Sequence, residues 1–195
     1  CEQALAQQAH GQLDVASQLL QEAHQASPRA PRPRIELAHL QHKNGQSAQA
    51  LGGLVALPEV SPTSTPLIAT FLTELAKGCG QLSQIRTLLE ANYRNTPSLD
   101  VMQCLVAIDE FQAPADGKEP QGRQWSVEHL NHEPSLVAAS RWLSQETLTH
   151  EEHHPAVQRA LDNATKPLTR YRCAACGFEA RQHFWHCPGC QSWDS

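Results

Sequence analysis

Residues 11–28 read G-Q-L-D-V-A-S-Q-L-L-Q-E-A-H-Q-A-S-P, and the two ends of that stretch recur down the chain. Gly11, Gly45 and Gly80 are each followed by glutamine, and a proline stands 17 residues after each glycine, at Pro28, Pro62 and Pro97. Gly117 and Pro134 keep the same offset. The prolines lie 34, 35 and 37 residues apart, and a period near 34 belongs to a repeated helix–turn–helix unit. In such a unit glycine supplies the left-handed residue that ends the first helix. A small residue lets the second helix approach the first, and proline stops the second helix because it has no N–H to continue the ladder. Ala16 and Ala23 occupy the two small positions of the first unit and Ala50 the first of the second, whereas Ile85 and Asn92 stand there in the third.

This is the pattern of tetratricopeptide hairpins, degenerating along the chain. Leu13, Ala16, Leu19, Leu20 and Ala23 share one face of a helix over 12–26. The periodicity predicts further helices over 35–44 and 46–57, 66–77 and 81–92, and 98–111. Residues 113–122, with two prolines and two glycines, predict a loop longer than the repeat expects. Helices follow over 123–132, 134–147 and 155–164, and 164–170 reads as a short linker. Glu133-Pro134-Ser135-Leu136 echoes Thr96-Pro97-Ser98-Leu99, which marks Pro134 as the start of a fifth hairpin. The expected fold class is therefore all-α: a helical-hairpin solenoid over 1–165 and a small rubredoxin-like or zinc-ribbon module over 170–195.

That module announces itself through Cys173, Cys176, Cys187 and Cys190, two CxxC pairs separated by ten residues. Two such pairs can place four thiolates on one tetrahedron, which suits zinc or the iron of a rubredoxin-type centre. Gly177 is expected to supply a left-handed turn after the first pair, and Pro188 to stiffen the second. Two disulfides are the alternative, and His183 or His186 could replace a cysteine as ligand. Four sulfur ligands leave no open coordination position, so the site reads as structural, with one ion per chain and zinc ahead of iron. So short a segment buries too little to hold itself together, and Tyr171, Phe178, Phe184, Trp185 and Trp193 would add what core it has.

Composition narrows the function. The formal net charge of −5 over 195 residues lacks the basic stripe of a nucleic-acid binder. Arg29, Arg32 and Arg34 form a local basic cluster among prolines and read as a solvated inter-repeat turn. No run of 18 apolar residues is present. Cys1, Cys79 and Cys104 suggest no disulfide framework, as expected in a reducing compartment. The chain starts at Cys1 without an initiator methionine and inside the first repeat, so earlier repeats are expected upstream. His150-Glu151-Glu152-His153-His154 fits the H-E-x-x-H pattern of zinc peptidases, but Pro155 follows at once and disfavours the continuous helix that chemistry requires. Pro155 is better placed at the first position of a new helix, with His153 and His154 in the turn before it. No catalytic residue is assigned.

Arg170-Tyr171-Arg172-Cys173-x-x-Cys176-Gly177-Phe178 and Trp185-His186-Cys187-Pro188-x-Cys190-x-x-Trp193, preceded by degenerate tetratricopeptide repeats, resemble the lipopolysaccharide assembly protein B family. The resemblance implies a bacterial inner-membrane protein with an N-terminal anchor, a repeat array on the cytoplasmic face, and a rubredoxin-like knuckle packed on that array. It further implies an adaptor that brings the deacetylase committing lipid A synthesis to a membrane-bound AAA protease. The chain departs from the family in lacking the anchor and front repeats and in its long segment at 113–122. The function expected is that of a non-enzymatic adaptor with protein partners, no nucleic acid, and membrane contact only through the anchor; a homo-oligomer stays open. A rubredoxin-type electron-transfer module and a generic repeat interaction module are the alternatives.

Overall fold

A computed structural model describes residues 1–112, 122–146, 152–168 and 171–193. It divides into two compact units, Cys1–His129 and Leu130–Ser195. The first unit is built from α1 (Glu2–Ala9), α2 (Leu13–Ala26), α3 (Pro31–Lys43), α4 (Ser47–Val55), α5 (Leu57–Val60), α6 (Thr65–Cys79), α7 (Leu82–Asn95), α8 (Leu99–Gln112) and most of α9 (Gly122–His132). Helices pair within hairpins, α1 on α2, α3 on α4 and α6 on α7. Each hairpin also packs on the next, through α2 on α3, α4 on α6 and α7 on α8. This is the tetratricopeptide arrangement read from the sequence.

The repeat glycines act as expected. Gly11, Gly45 and Gly80 have φ of 77°, 78° and 69°, a left-handed conformation that carries almost no penalty without a Cβ. After each, the N–H of Gln12, Gln46 or Gln81 reaches back to the carbonyl of Gln7, Gln41 or Ala76 at 2.9 Å, closing the helix end. Gly117 lies outside the described residues. The second helices also stop alike. Ser27, Ser61 and Thr96, each before its proline, hold φ/ψ of −140°/77°, −142°/76° and −142°/80°. The proline ring that follows excludes the helical region from each of them.

Small residues set the spacing between helices. Ala16 and Ala50 are completely buried, and Ala16 packs with Ala4, Leu20 and Leu40. Ile85 fills the equivalent place in the third hairpin. Asn92, its companion, is buried as well: its Nδ2 donates to the Pro62 carbonyl at 3.4 Å, while its Oδ1 meets no donor among the described residues. Around α8, Val101, Met102, Leu105 and Ile108 are buried, and α9 meets this helix where Ser126 Oγ lies 4.0 Å from Met102 Sδ. Tyr93 Oη lies 2.9 Å from His129 Nδ1, Trp125 Nε1 donates to Asp109 Oδ2 at 2.9 Å, and Asp109 pairs with Arg86. Gly122 permits this approach, because a Cβ there would meet Val106 Cγ1 at 2.9 Å.

Two expectations need correction. Of the Arg29–Arg34 cluster only Arg29 stands in an exposed turn: α3 starts at Pro31, so Arg32 and Arg34 lie in its first turn. Prolines are tolerated there because first-turn N–H groups have no helical acceptor to lose. Arg32 is buried and its Nη2 pairs with Glu2 Oε1 at 2.6 Å, while Arg34 Nε donates to the His24 ring. The helix expected over 46–57 is also broken. It ends at Val55 and resumes as α5, since Pro58 cannot donate to the ladder. The loop expected at 113–122 lies outside the described residues except for Gly122.

The second unit holds α10 (Leu136–Gln145) and α11 (His154–Thr165), which pack on each other. Ser135 caps α10 by accepting the Ala138 N–H at 3.2 Å, and Ser140 Oγ donates to Asp162 Oδ1 at 2.9 Å across the pair. Two short strands follow, β1 (Tyr171–Arg172) antiparallel to β2 (Glu179–Ala180), with Tyr171 opposite Ala180. Among the described residues no helix is long and apolar enough to cross a membrane.

Candidate metal centre

Two turns of identical construction carry the four cysteines. In the first, Cys173 N–H donates to the Phe178 carbonyl at 2.8 Å and Gly177 N–H to the Cys173 carbonyl at 2.9 Å. In the second, Cys187 N–H donates to the Ser192 carbonyl and Gln191 N–H to the Cys187 carbonyl, both at 2.9 Å. The left-handed residue of the first turn is Gly177, φ 76°, as the sequence predicts. Its counterpart in the second is Gln191 at φ 61°, the one non-glycine with positive φ among the described residues. Pro188 lies in that turn, but Gln191 bends the chain. Nothing in the local sequence marks a glutamine for this role.

The turns face each other and bring the sulfurs together. All four Sγ atoms lie within 4.8 Å of one another. Cys173 Sγ is 3.8 Å from Cys190 Sγ, and Cys176 Sγ is 3.7 Å from Cys187 Sγ. A tetrahedron with metal–sulfur bonds of about 2.3 Å has sulfur–sulfur edges of about 3.8 Å, the length of these two edges of the cage. These separations are far beyond the roughly 2.05 Å of a disulfide, and the cysteines are all thiols. Cys173 and Cys187 are buried and Cys176 is exposed.

The two thiols Cys176 and Cys190 hold their protons unequally. The Phe178 N–H directed at Cys176 lowers its pKa, but Cys190, burial, Cys173 and Cys187 outweigh it, and the thiol is pushed up to about 12. Cys190 moves down, held below the ordinary thiol value by the Ser192 hydroxyl first and the Ser192 N–H second. Clustered thiolates repel, so the set loses its protons together only when a cation replaces them.

The histidines take other roles. His183 lies edge-on to Tyr171 and Trp185, with ring centroids at 5.6 and 4.3 Å, and His186 stacks on Trp193 at 4.1 Å and 19°. Phe178 covers Gly189, whose added Cβ would come within 3.2 Å of its ring. Phe178, Phe184 and Trp193 nevertheless remain exposed, so the module has little core beyond its sulfurs. Elsewhere, α11 begins at His154 with Pro155 in its first turn, and His154 Nε2 lies 3.0 Å from the Leu143 carbonyl. His154 thus ties the turn to the end of α10. His150 and Glu151 of the H-E-x-x-H pattern lie outside the described residues.

The comparisons agree with this geometry. Residues 171–195 match the family model of a rubredoxin metal binding domain, and residues 7–75 that of a tetratricopeptide repeat. Lipopolysaccharide assembly protein B of Escherichia coli (strain K12) is 24% identical over 204 aligned residues, covering 100% of this chain and 50% of that protein. Its namesake in Haemophilus influenzae is 24% identical over 182 residues, covering 91% of this chain and 45% of the relative. The chain therefore spans about half the length of the curated relatives it matches. A solved structure described as "MamA RS-1 ArsTM double mutant" shares the fold with a TM-score of 0.52 at 12% identity, over 85% of this chain and 93% of that one. Repeats, metal-binding tail and curated relatives converge on one likeness: the chain is similar to the lipopolysaccharide assembly protein B family, with the tetratricopeptide and metal-binding domains its relatives suggest.

Proposed function

We infer that this chain is a non-enzymatic adaptor in the control of lipopolysaccharide assembly, with a repeat array over 1–165 that holds protein partners and a metal module over 170–195. The observation that carries the reading is the closed cage of Cys173, Cys176, Cys187 and Cys190, whose sulfurs lie within 4.8 Å of one another. With all four corners occupied by sulfur, an ion there has no position for water or substrate and serves the fold. Stacked hairpins, for their part, expose an extended surface for a polypeptide. By family resemblance the partners are the deacetylase that commits lipid A synthesis and a membrane AAA protease, met at the cytoplasmic face of the bacterial inner membrane.

The ion is zinc, one per chain. Iron is the second reading, favoured by the rubredoxin description of the matching family model. Elemental analysis of the purified chain decides between them, and an iron form would be red. The adaptor role is tested by following deacetylase decay in cells whose full-length protein is wild type or Cys173→Ser/Cys176→Ser. Slower decay with the variant is expected. Equal half-lives, with the variant protein present at normal level, would overturn a role for the knuckle in delivery.

A further inference from the structure

The two cysteine turns match bond for bond in their backbones, yet they differ at the residue after the left-handed position. That residue is Phe178 in the first turn and Ser192 in the second. Phe178 turns its ring onto Gly189. Ser192 instead places its Oγ 3.3 Å from Cys190 Sγ, while its own carbonyl accepts the Cys187 N–H at 2.9 Å. A single residue therefore touches both cysteines of the second turn, and Cys190 gains a side-chain hydrogen bond that Phe178 cannot give Cys176.

Resting on the reading that a metal ion occupies the cysteine cage, we propose that Ser192 is a positioning residue of that centre, its hydroxyl donating to the Cys190 thiolate and helping to hold it on the ion. As a thiol, Cys190 donates to the Ser192 oxygen. Once its proton is displaced, the sulfur can only accept, and the hydroxyl rotates to donate. A divalent ion with four thiolates carries a net charge of −2 in a module with little burial. Each N–H or O–H directed at sulfur spreads that charge and keeps the thiolate from leaving. Donors of this kind change metal affinity by about 10- to 100-fold when removed, and one half-buried hydroxyl belongs at the lower end.

The test uses this chain loaded with cobalt(II) or zinc, as wild type, Ser192→Ala and Ser192→Thr. Losing the hydroxyl makes the Cys190 sulfur more electron-rich, so the sulfur-to-cobalt charge-transfer band of Ser192→Ala moves to longer wavelength. Its dissociation constant for zinc rises about tenfold. Ser192→Thr, which keeps the hydroxyl, restores both. Unchanged band and affinity in Ser192→Ala would overturn the proposal. Loss of the tetrahedral cobalt bands in both variants would overturn it too, since Ser192 would then act on the fold. A wild-type chain that takes up no metal at its cysteines would refute the metal reading itself.

Discussion

Gln191 turns left-handed while carrying a full side chain, a conformation that costs an L-residue about 1–2 kcal/mol. Gly177 makes the same turn on the other side of the cage without that cost. Opposite outcomes are expected for the two positions. Gly177→Ala should destabilise the metal-loaded module by about 1 kcal/mol, although the nearest side-chain atom, on Arg172, leaves a new Cβ 3.5 Å of room. Gln191→Gly should stabilise it by less than about 1 kcal/mol, because glycine's freedom in the unfolded chain offsets part of the relief. Denaturant unfolding of the zinc-loaded proteins, followed by tryptophan fluorescence, measures both; equal effects of the same sign would contradict the paired geometry.

Helix contacts impose a different kind of constraint. Ala50 is wholly buried where α4 meets its neighbours, so Ala50→Leu should cost about 1–3 kcal/mol through overpacking. An unchanged urea midpoint would show that α4 can shift to make room. Between α3 and α6, His39 stacks on Phe71 at 4.2 Å and 19°, and His42 meets the same ring edge-on at 5.5 Å. Burial, then Lys43, then His42 hold the His39 pKa below its ordinary value. Since the folded imidazole binds its proton less readily than the unfolded one, its contribution to stability is present above about pH 6.5 and is lost as pH falls toward the lowered value. Phe71→Ala should remove much of that burial and raise the His39 titration midpoint, read by NMR of its ring proton. A midpoint that stays put would assign the shift to the charges alone.

The whole molecule draws on two sources of stability. In the first unit the core is aliphatic, running from Ala4 through Leu54, Leu72 and Leu89 to Ile108, and needs no metal. Within 171–193 only Cys173 and Cys187 are buried. A strong chelator should therefore unfold the 171–193 module while most of the far-ultraviolet helical signal survives. The check is circular dichroism with and without chelator, with near-ultraviolet signal reporting on Trp185 and Trp193. Collapse of the helical signal together with the tail would mean that the array depends on the metal as well.

Helix ends and the cysteine cage were legible because their chemistry is local. A glycine at the end of one helix, a proline after the next, and paired CxxC turns each act over a few consecutive residues, and each behaves in the structure as its spacing implies. Within the basic run at Arg29–Arg34, Arg29 keeps its exposed turn, but Arg32 and Arg34 depend on through-space partners: Glu2, some thirty positions earlier, takes Arg32 into the interior, and His24 engages Arg34. Tyr93 and His129, 36 positions apart, meet only because α9 lies over α7 and α8. Ser192 and Gln191 carry no motif either, and their roles follow from a backbone turn that repeats the first one without its glycine. Local conformational preference is written in neighbouring residues, whereas burial and hydrogen-bond partnership are fixed only when distant segments pack.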